Sequence, residues 1–215
     1  MQITPFLHKI GSFVNQYLII DGHELTLIDT GMHNNGNNIL LYISKIGFSS
    51  ENLKRILITH SDSDHYGSAA FLKNKTGAQI WTSQIEADAM KNGSSSREIK
   101  PKGIGVIFFP LLMSFLTSPP VEVDRILING ELLPILSGIQ VISSPGHTPG
   151  HISFYLPKEN ILIAGDAINT KKGVPVPTTD GTTGDIELAC VSFTKLMQFN
   201  PKVIACGHTY LDLRK

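Results

Sequence analysis

The sequence has no excess of charge of either sign. Its 18 Lys and Arg residues balance its 18 Asp and Glu residues, so the formal net charge is zero. Proteins that bind nucleic acid usually carry a basic patch, and an anionic membrane surface likewise attracts basic proteins. The charge balance therefore favours neither kind of partner, and we expect no nucleic-acid partner. A small-molecule substrate is the expectation from the candidate metal ligands described below.

Cysteines and long apolar runs are also scarce. The two cysteines, Cys190 and Cys206, have no paired spacing, which argues against a disulfide framework and favours a reducing compartment. The longest apolar run, 104–116, is interrupted by Pro110 and is shorter than the roughly 18 residues of a transmembrane helix. The first residues lack the basic and apolar regions of a signal peptide. We expect a cytoplasmic protein without an integral membrane segment.

The composition is that of a globular protein, since 41% of the residues are hydrophobic and 17% are charged. A length of 215 residues suits one large domain or two fused halves that share a core. We predict a single domain over 1–215, with an unusually apolar insertion near 92–120.

Strands alternate with helices in both halves, which favours sheets covered by helices. The pattern predicts a hairpin that turns at 21–24 and a following helix with Ile39 and Ile43 on its apolar face. Ser83 and Glu86 have the spacing of a capping box, so a helix is predicted to start there.

A last long helix is predicted to begin at Asp185 and to end at Asn200-Pro201. Its predicted apolar stripe is Leu188, Val191, Leu196 and Phe199. The segment KVIAC that follows is predicted to be the final strand.

Four predicted strands run into a possible metal ligand. RILIT leads to His60, IQVISSPG to His147, NILIAG to Asp166 and KVIACG to His208. A strand delivers its last side chain to the rim of a sheet with little freedom, as metal coordination requires. Gly or Pro-Gly precedes three of the four, which allows the backbone and the ligand to approach closely.

The loop HSDSDH at 60–65 adds further imidazole and carboxylate groups. Together these groups suit Zn, Mn or Fe. The loop alone is a weak signal, because it is equally compatible with a solvated turn that caps the next helix. The complete ligand set, in this order and at strand ends, is far less expected by chance.

In the motifs HSDSDH, LIDTG, PGHTPGH, GD and GH, in this order, the sequence resembles the metallo-β-lactamase fold superfamily. The resemblance covers nearly the whole chain, from NQYLI to GHT. It implies the α/β class and an αββα sandwich of two similar halves, with metal ions at one edge of the sheets. It also implies two metal sites, whose ligands would be His60, Asp62 and His147 for the first metal, Asp64, His65 and His208 for the second, and Asp166 as the bridge.

Asp62 departs from the usual HxHxDH motif of the superfamily, where the second position is His. A carboxylate makes the first site harder and more anionic, which shifts preference towards Mn or Fe. Zn accepts carboxylate oxygen as well, so we expect two divalent ions, with Zn favoured and Mn or Fe as alternatives.

Two adjacent cations lower the pKa of a shared water and give a hydroxide nucleophile at neutral pH. We therefore predict a metallo-hydrolase that uses a metal-bound hydroxide on a small ester, thioester, lactone or amide. Asp64 is the predicted catalytic residue, because it could orient the hydroxide as well as bind metal. The sequence has no GxSxG motif that would indicate a serine nucleophile.

Two other classes remain as alternatives. The same fold hosts iron-dependent oxidation of sulfur compounds at a single metal, and Asp62 could instead mark a degenerate site in a binding protein. The metal content distinguishes these alternatives, since one iron favours oxidation and two metals favour hydrolysis. Action on nucleic acid, or a secreted lactamase, is less favoured because the chain is neutral and has no evident export signal.

Other residues have predicted roles near the site. Asp29 is expected to orient a ligand histidine. His151 is expected to be a hydrogen-bonded structural histidine, and Cys206 a small buried apolar residue rather than a ligand. The apolar segment 104–116 is predicted to form a helical lid over the metals. A homodimer interface, a membrane-surface contact and plain core are the alternative uses of the same residues.

Overall fold

The computed structural model describes residues 1–11, 13–97 and 118–214, and it contains two six-stranded sheets. The predicted lid segment, 104–116, lies outside the described residues. The first sheet has the order β1-β2-β3-β4-β5-β6. Its strands are β1 (Leu7–Ile10), β2 (Gln16–Asp21), β3 (Glu24–Ile28), β4 (Leu53–Leu57), β5 (Gln79–Thr82) and β6 (Arg125–Ile126).

The second sheet comes from the other half of the chain and has the order β14-β13-β10-β9-β8-β7. A separate two-stranded sheet pairs β11 with β12. The strands of these two sheets are β7 (Leu132–Leu133), β8 (Ile139–Ser143), β9 (Ile152–Leu156), β10 (Ile161–Gly165), β11 (Ile168–Lys171), β12 (Val174–Pro177), β13 (Val203–Cys206) and β14 (Tyr210–Asp212).

The helices are found between strands of the first sheet and before the last strands of the second sheet. They are α1 (Gly36–Lys45), α2 (Ser63–Tyr66), α3 (Ala69–Thr76), α4 (Gln84–Lys91) and α5 (Ile186–Met197), with a 3₁₀ turn at Ser50–Asn52. None of the helices in the described part of the chain is long and apolar enough to cross a membrane.

The apolar residues of the strands alternate between two cores, as the two-residue period of a strand requires. In β2, Tyr17 and Ile19 lie in the core between the two sheets, whereas Leu18 lies in a core with Ile39 and Ile43 of α1. The second sheet repeats this arrangement, since the outer faces of β8, β10 and β13 pack in a core with α5. The layers are therefore αββα, which confirms the predicted fold class.

The predicted hairpin is present, with Asp21 of β2 opposite Glu24 of β3. KVIAC forms β13, but it is not the final strand, because β14 follows and pairs with it antiparallel. The sequence pattern also missed β1, whose His8 is buried and hydrogen-bonds to the hydroxyl of Tyr42.

The predicted apolar stripe of the last helix is half wrong. Leu196 is fully buried, but Val191 is 64% exposed and Leu188 is 37% exposed. The buried face instead contains Ala189 and Ser192. These small residues allow α5 to approach the turn before His147, where Ser192 Oγ donates to the carbonyl of Pro145 over 2.6 Å.

Candidate metal centre

The side chains of the candidate site follow strand ends at one edge of the sandwich. The loop after β4 carries residues 60–65, the loop after β8 carries His147, and Asp166 and His208 follow β10 and β13. Their ligand atoms form two groups, within each of which all atoms lie no more than 4.8 Å apart. The first cluster is His60, His147 and Asp166, and the second cluster is Asp64, His65 and His208.

Asp166 connects the two clusters. Its Oδ2 lies 3.7 Å from Nε2 of His147 in the first cluster and 3.2 Å from Nε2 of His208 in the second. Its Oδ1 lies 3.4 Å from Nε2 of His65. A carboxylate in this position could bridge two cations, which is the role that the family resemblance implies for it.

Several buried atoms of the candidate ligands have no hydrogen-bond partner among the residues that the structure describes. These atoms include Nε2 of His60, Nε2 of His65 and Oδ1 of Asp166. A buried polar atom without a partner is costly, so an unpartnered group of this kind needs an explanation. Neutral imidazole and carboxylate are ordinary ligands of Zn, Mn and Fe, so these residues fit a metal centre.

The Nδ1 atoms of two candidate ligands, His65 and His208, are held by neighbouring groups. Nδ1 of His65 lies 2.9 Å from Oδ2 of Asp29, and the same carboxylate accepts the backbone N–H and the hydroxyl of Thr59. Nδ1 of His208 donates to the carbonyl of Phe13 over 3.2 Å. Asp29 therefore orients His65, which is a candidate ligand, and the φ of Asp29 is 58°, in the left-handed region.

His151 supports Asp166 without joining either cluster. Its Nε2 accepts the backbone N–H of Asp166 over 3.1 Å, and its Nδ1 lies 2.9 Å from Oγ of Ser144. Burial lowers the pKa of His151 well below its ordinary value, which keeps the ring neutral and able to accept. It is thus a structural histidine, as expected.

Close packing explains Gly207, which precedes His208. A Cβ at this position would collide with the carboxylate of Asp166 and the ring of His65. On the same strand, Cys206 is buried, and this burial raises the pKa of its thiol to about 12. Cys206 therefore has the predicted role of a small buried apolar residue.

Asp62 lies beside the first cluster, with its Oδ2 3.2 Å from Nε2 of His147 and 3.6 Å from Nε2 of His60. Burial alone would raise the pKa of the Asp62 carboxyl, but the hydrogen bond with His147, the neighbouring ring of His60 and the hydrogen bonds from Arg97 hold it well below its ordinary value. Asp62 is thus a carboxylate with several cationic or donor neighbours. Its role as a metal ligand stays a prediction.

Two residues of the site were not predicted. Arg97 follows a polar loop and forms an ion pair with Asp62. Glu86 is fully buried in α4 and accepts hydrogen bonds from Ser61, Ser96 and Thr148. Ser83 caps the helix as predicted. The spacing of Glu86 to Ser83 indicated only a local capping role for Glu86, but its carboxylate instead contacts the loops of the site.

A cavity of about 490 Å³ opens over both clusters. Its walls include apolar side chains, Phe13, Met32 and Ile168, and polar ones, Arg97 and Asp180. The size suits a small molecule, and the apolar walls suit a partly apolar one.

An αββα sandwich with two His and Asp clusters at one edge defines a class of metal-binding proteins. The chain belongs to the metallo-β-lactamase superfamily, because the model of that family matches residues 10–208. Membership confirms the predicted family and supports a metal-binding hydrolase.

Two relatives and one solved structure illustrate the match. The hydroxyacylglutathione hydrolase GloC of Haemophilus influenzae is 32% identical over 160 residues, which cover 73% of this chain and 69% of that protein. The probable metallo-hydrolase YybB of Bacillus subtilis is 26% identical over 199 residues, covering 91% of this chain and 80% of that protein. A metallo-β-lactamase of Cronobacter sakazakii with a HARLDQ motif shares the fold at a TM-score of 0.76 and 22% identity, covering 96% of this chain and 79% of that one.

Proposed function

We propose that this protein is a two-metal hydrolase that acts on a small ester, thioester, lactone or amide, with Zn as the favoured ion. The observation that carries the proposal is the position of Asp166 beside both clusters, together with Nε2 of His60, Nε2 of His65 and Oδ1 of Asp166, which are buried and lack partners among the described residues. Divalent ions, when bound, supply the Lewis acidity that acidifies water and polarises a carbonyl oxygen.

In this proposal the ligands divide between two sites that share Asp166. The first metal would be held by His60, His147 and Asp62, and the second by Asp64, His65 and His208. Asp29 fixes the tautomer of His65, and the carbonyl of Phe13 does the same for His208, so that each Nε2 faces Asp166.

Asp64 is the proposed catalytic residue. Its side chain is about one-quarter exposed at 27%, lines the cavity and lies 3.5 Å from Nε2 of His208. A carboxylate in this place could accept a hydrogen bond from the attacking water and thereby orient it towards a substrate carbonyl. The apolar walls formed by Phe13, Met32 and Ile168 suit the acyl part of such a substrate.

The relative GloC is named for the hydrolysis of hydroxyacylglutathione, which is an acyl compound. This name supports acyl transfer to water as the reaction to test first. A panel of short-chain esters, thioesters and lactones is therefore the appropriate first set of substrates.

We predict that Asp64→Ala and His208→Ala each abolish hydrolysis and lower the metal content from about two ions per chain to about one. Elemental analysis of protein purified without chelator, together with turnover on the substrate panel, measures both effects. Asp180→Ala is the matched control, because Asp180 lines the same cavity outside both clusters.

The control should retain the metal content of the unmodified protein. Near-normal turnover in either ligand variant would show that the second metal is not required for the chemistry. Protein that takes up no ion from Zn, Mn or Fe solutions would contradict the whole proposal, and a single bound iron would favour oxidation of a sulfur compound.

A further inference from the structure

The carboxylate of Asp62 is already satisfied by groups of the protein. Its Oδ1 accepts from Oγ of Ser95 over 2.6 Å and from Nε of Arg97 over 3.1 Å. Its Oδ2 accepts from Nη2 of Arg97 over 2.5 Å. Both side chains are largely buried, with 8% of Asp62 and 12% of Arg97 exposed. Asp62 and Arg97 therefore form a bidentate ion pair that solvent screens little.

Because both of its carboxylate oxygens already accept hydrogen bonds, Asp62 differs from other predicted ligands. Nε2 of His60, Nε2 of His65 and Oδ1 of Asp166 are buried without a hydrogen-bond partner in the described part of the chain. Those atoms gain an interaction when a cation binds, whereas Asp62 must give up or share one that it already has. The predicted ligands of the two metals are thus not equally ready to bind.

One oxygen of Asp62, Oδ2, faces both Arg97 and His147 of the first cluster. Oδ2 lies 2.5 Å from Nη2 of Arg97 and 3.2 Å from Nε2 of His147. A cation shared by Asp62 and His147 would therefore lie close to the positive guanidinium group. Like charges repel strongly at this separation in a partly buried site. The second cluster has no such arrangement among the described residues, since Asp64 is paired there only with histidines.

We propose that Arg97 competes with the metal ion for Asp62, so that the first cluster binds its ion more weakly than the second cluster. The inference rests on the proposed two-metal centre. In this arrangement Arg97 is a positioning residue that sets the order of loading. At limiting metal the protein carries one ion, held by the second cluster with Asp166. Excess metal fills the first cluster by displacing the guanidinium from Asp62.

The test is a calorimetric titration of the metal-free full chain with Zn²⁺ and, separately, Mn²⁺. Arg97→Met removes the charge and keeps a side chain of similar length. Arg55→Met is the matched control, because Arg55 pairs with Glu24 over 2.6 Å on the surface. We expect two unequal binding steps in the unmodified protein and in the control. In Arg97→Met the weaker step should tighten by roughly 10- to 100-fold, with the tighter step unchanged.

A second variant separates competition from a general loss of structure. Adding Arg97→Met to Asp62→Asn should tighten the weaker step less than Arg97→Met does in the unmodified background, because no ion pair remains to be displaced and only the repulsion between the guanidinium and the ion is relieved. Arg97→Lys keeps the charge but loses the two-pronged contact, and we expect an intermediate tightening. With Co²⁺ as the probe, the visible absorption of the weakly bound ion should appear at a lower Co²⁺ concentration in Arg97→Met than in the unmodified protein.

The outcomes are distinct. Two binding steps of equal affinity in the unmodified protein would overturn this inference while leaving the two-metal proposal intact. So would a weaker step whose affinity is unchanged or lower in Arg97→Met. If the unmodified protein binds no metal, the proposed function itself fails.

Discussion

Single residues far apart in the sequence brace the loops of the metal centre. Glu86 is fully buried and accepts from the backbone N–H of Ser61 over 2.8 Å, from Oγ of Ser96 over 2.8 Å and from Oγ1 of Thr148 over 2.6 Å. Ser61 lies between His60 and Asp62, Ser96 precedes Arg97, and Thr148 follows His147. One carboxylate thereby ties together three segments that carry residues of the site.

We predict that Glu86→Gln lowers the free energy of unfolding by about 1–3 kcal/mol, because an amide nitrogen would replace one of the buried acceptors. Metal affinity should fall by roughly 10-fold, since the loops next to the ligands lose their common support. Thermal unfolding and metal titration measure the two effects. Glu187→Gln, at an exposed position in the first turn of α5, is the control and should be neutral. A Glu86→Gln protein with unchanged metal affinity would show that the bracing is dispensable.

At the scale of elements, α5 shows why an apolar pattern did not identify the buried face. Ala189 packs against Gly146, whose φ is +136°, and a Cβ at Gly146 would collide with the backbone of Ala189. The helix thus needs small residues where it approaches the turn before His147. Its larger apolar residues Leu188 and Val191 lie on the exposed side.

Two truncations in α5 should therefore differ widely. Leu196→Ala removes a fully buried side chain and should lower the free energy of unfolding by about 2–5 kcal/mol. Val191→Ala removes a side chain that is 64% exposed, and it should change stability by no more than about 0.5 kcal/mol. Denaturant unfolding monitored by circular dichroism compares them. Similar losses for both variants would mean that Val191 is covered in solution, for instance by a second copy of the chain.

For the whole molecule, the proposed metal ions join loops from both halves of the sandwich. His60 and His65 follow a strand of the first sheet, whereas His147, Asp166 and His208 follow strands of the second sheet. Ions bound here would hold the two sheets together at one edge. They would also relieve the cost of the buried atoms that lack partners.

We predict that removal of metal by a chelator destabilises the protein without unfolding it. An ion at about 100 times its dissociation constant contributes about 2.7 kcal/mol. For a chain of this size the expected decrease in Tm is about 5–10 °C. Differential scanning calorimetry before and after dialysis against chelator measures the change, and adding back Zn²⁺ should restore the Tm. An unchanged Tm in protein shown to have lost its metal would argue against ions that bridge the sheets.

The sequence alone determined the fold class and the set of candidate ligands. Strand periodicity is local, so RILIT, NILIAG and KVIAC indicated strands without reference to the rest of the chain. The residues that follow those strands were for the same reason expected to meet at one edge. His60, Asp166 and His208 do lie together there, and the family model supports the αββα arrangement that the motifs implied. Cytoplasmic localisation, the identity of the metal and a homodimer stay predictions.

Only the tertiary structure decided which side chains surround those ligands. Arg97 meets Asp62 across 35 residues, and Glu86 meets Thr148 across 62 residues. Contacts of this kind depend on how loops pack against each other, so no periodic pattern in the sequence indicates them. The sequence spacing of Glu86 to Ser83 matched a local cap, and the apolar residues of α5 matched a buried stripe. Ser83 does cap the helix, but the contacts of the Glu86 carboxylate and the buried face of α5 depend on packing against the loops of the candidate metal centre.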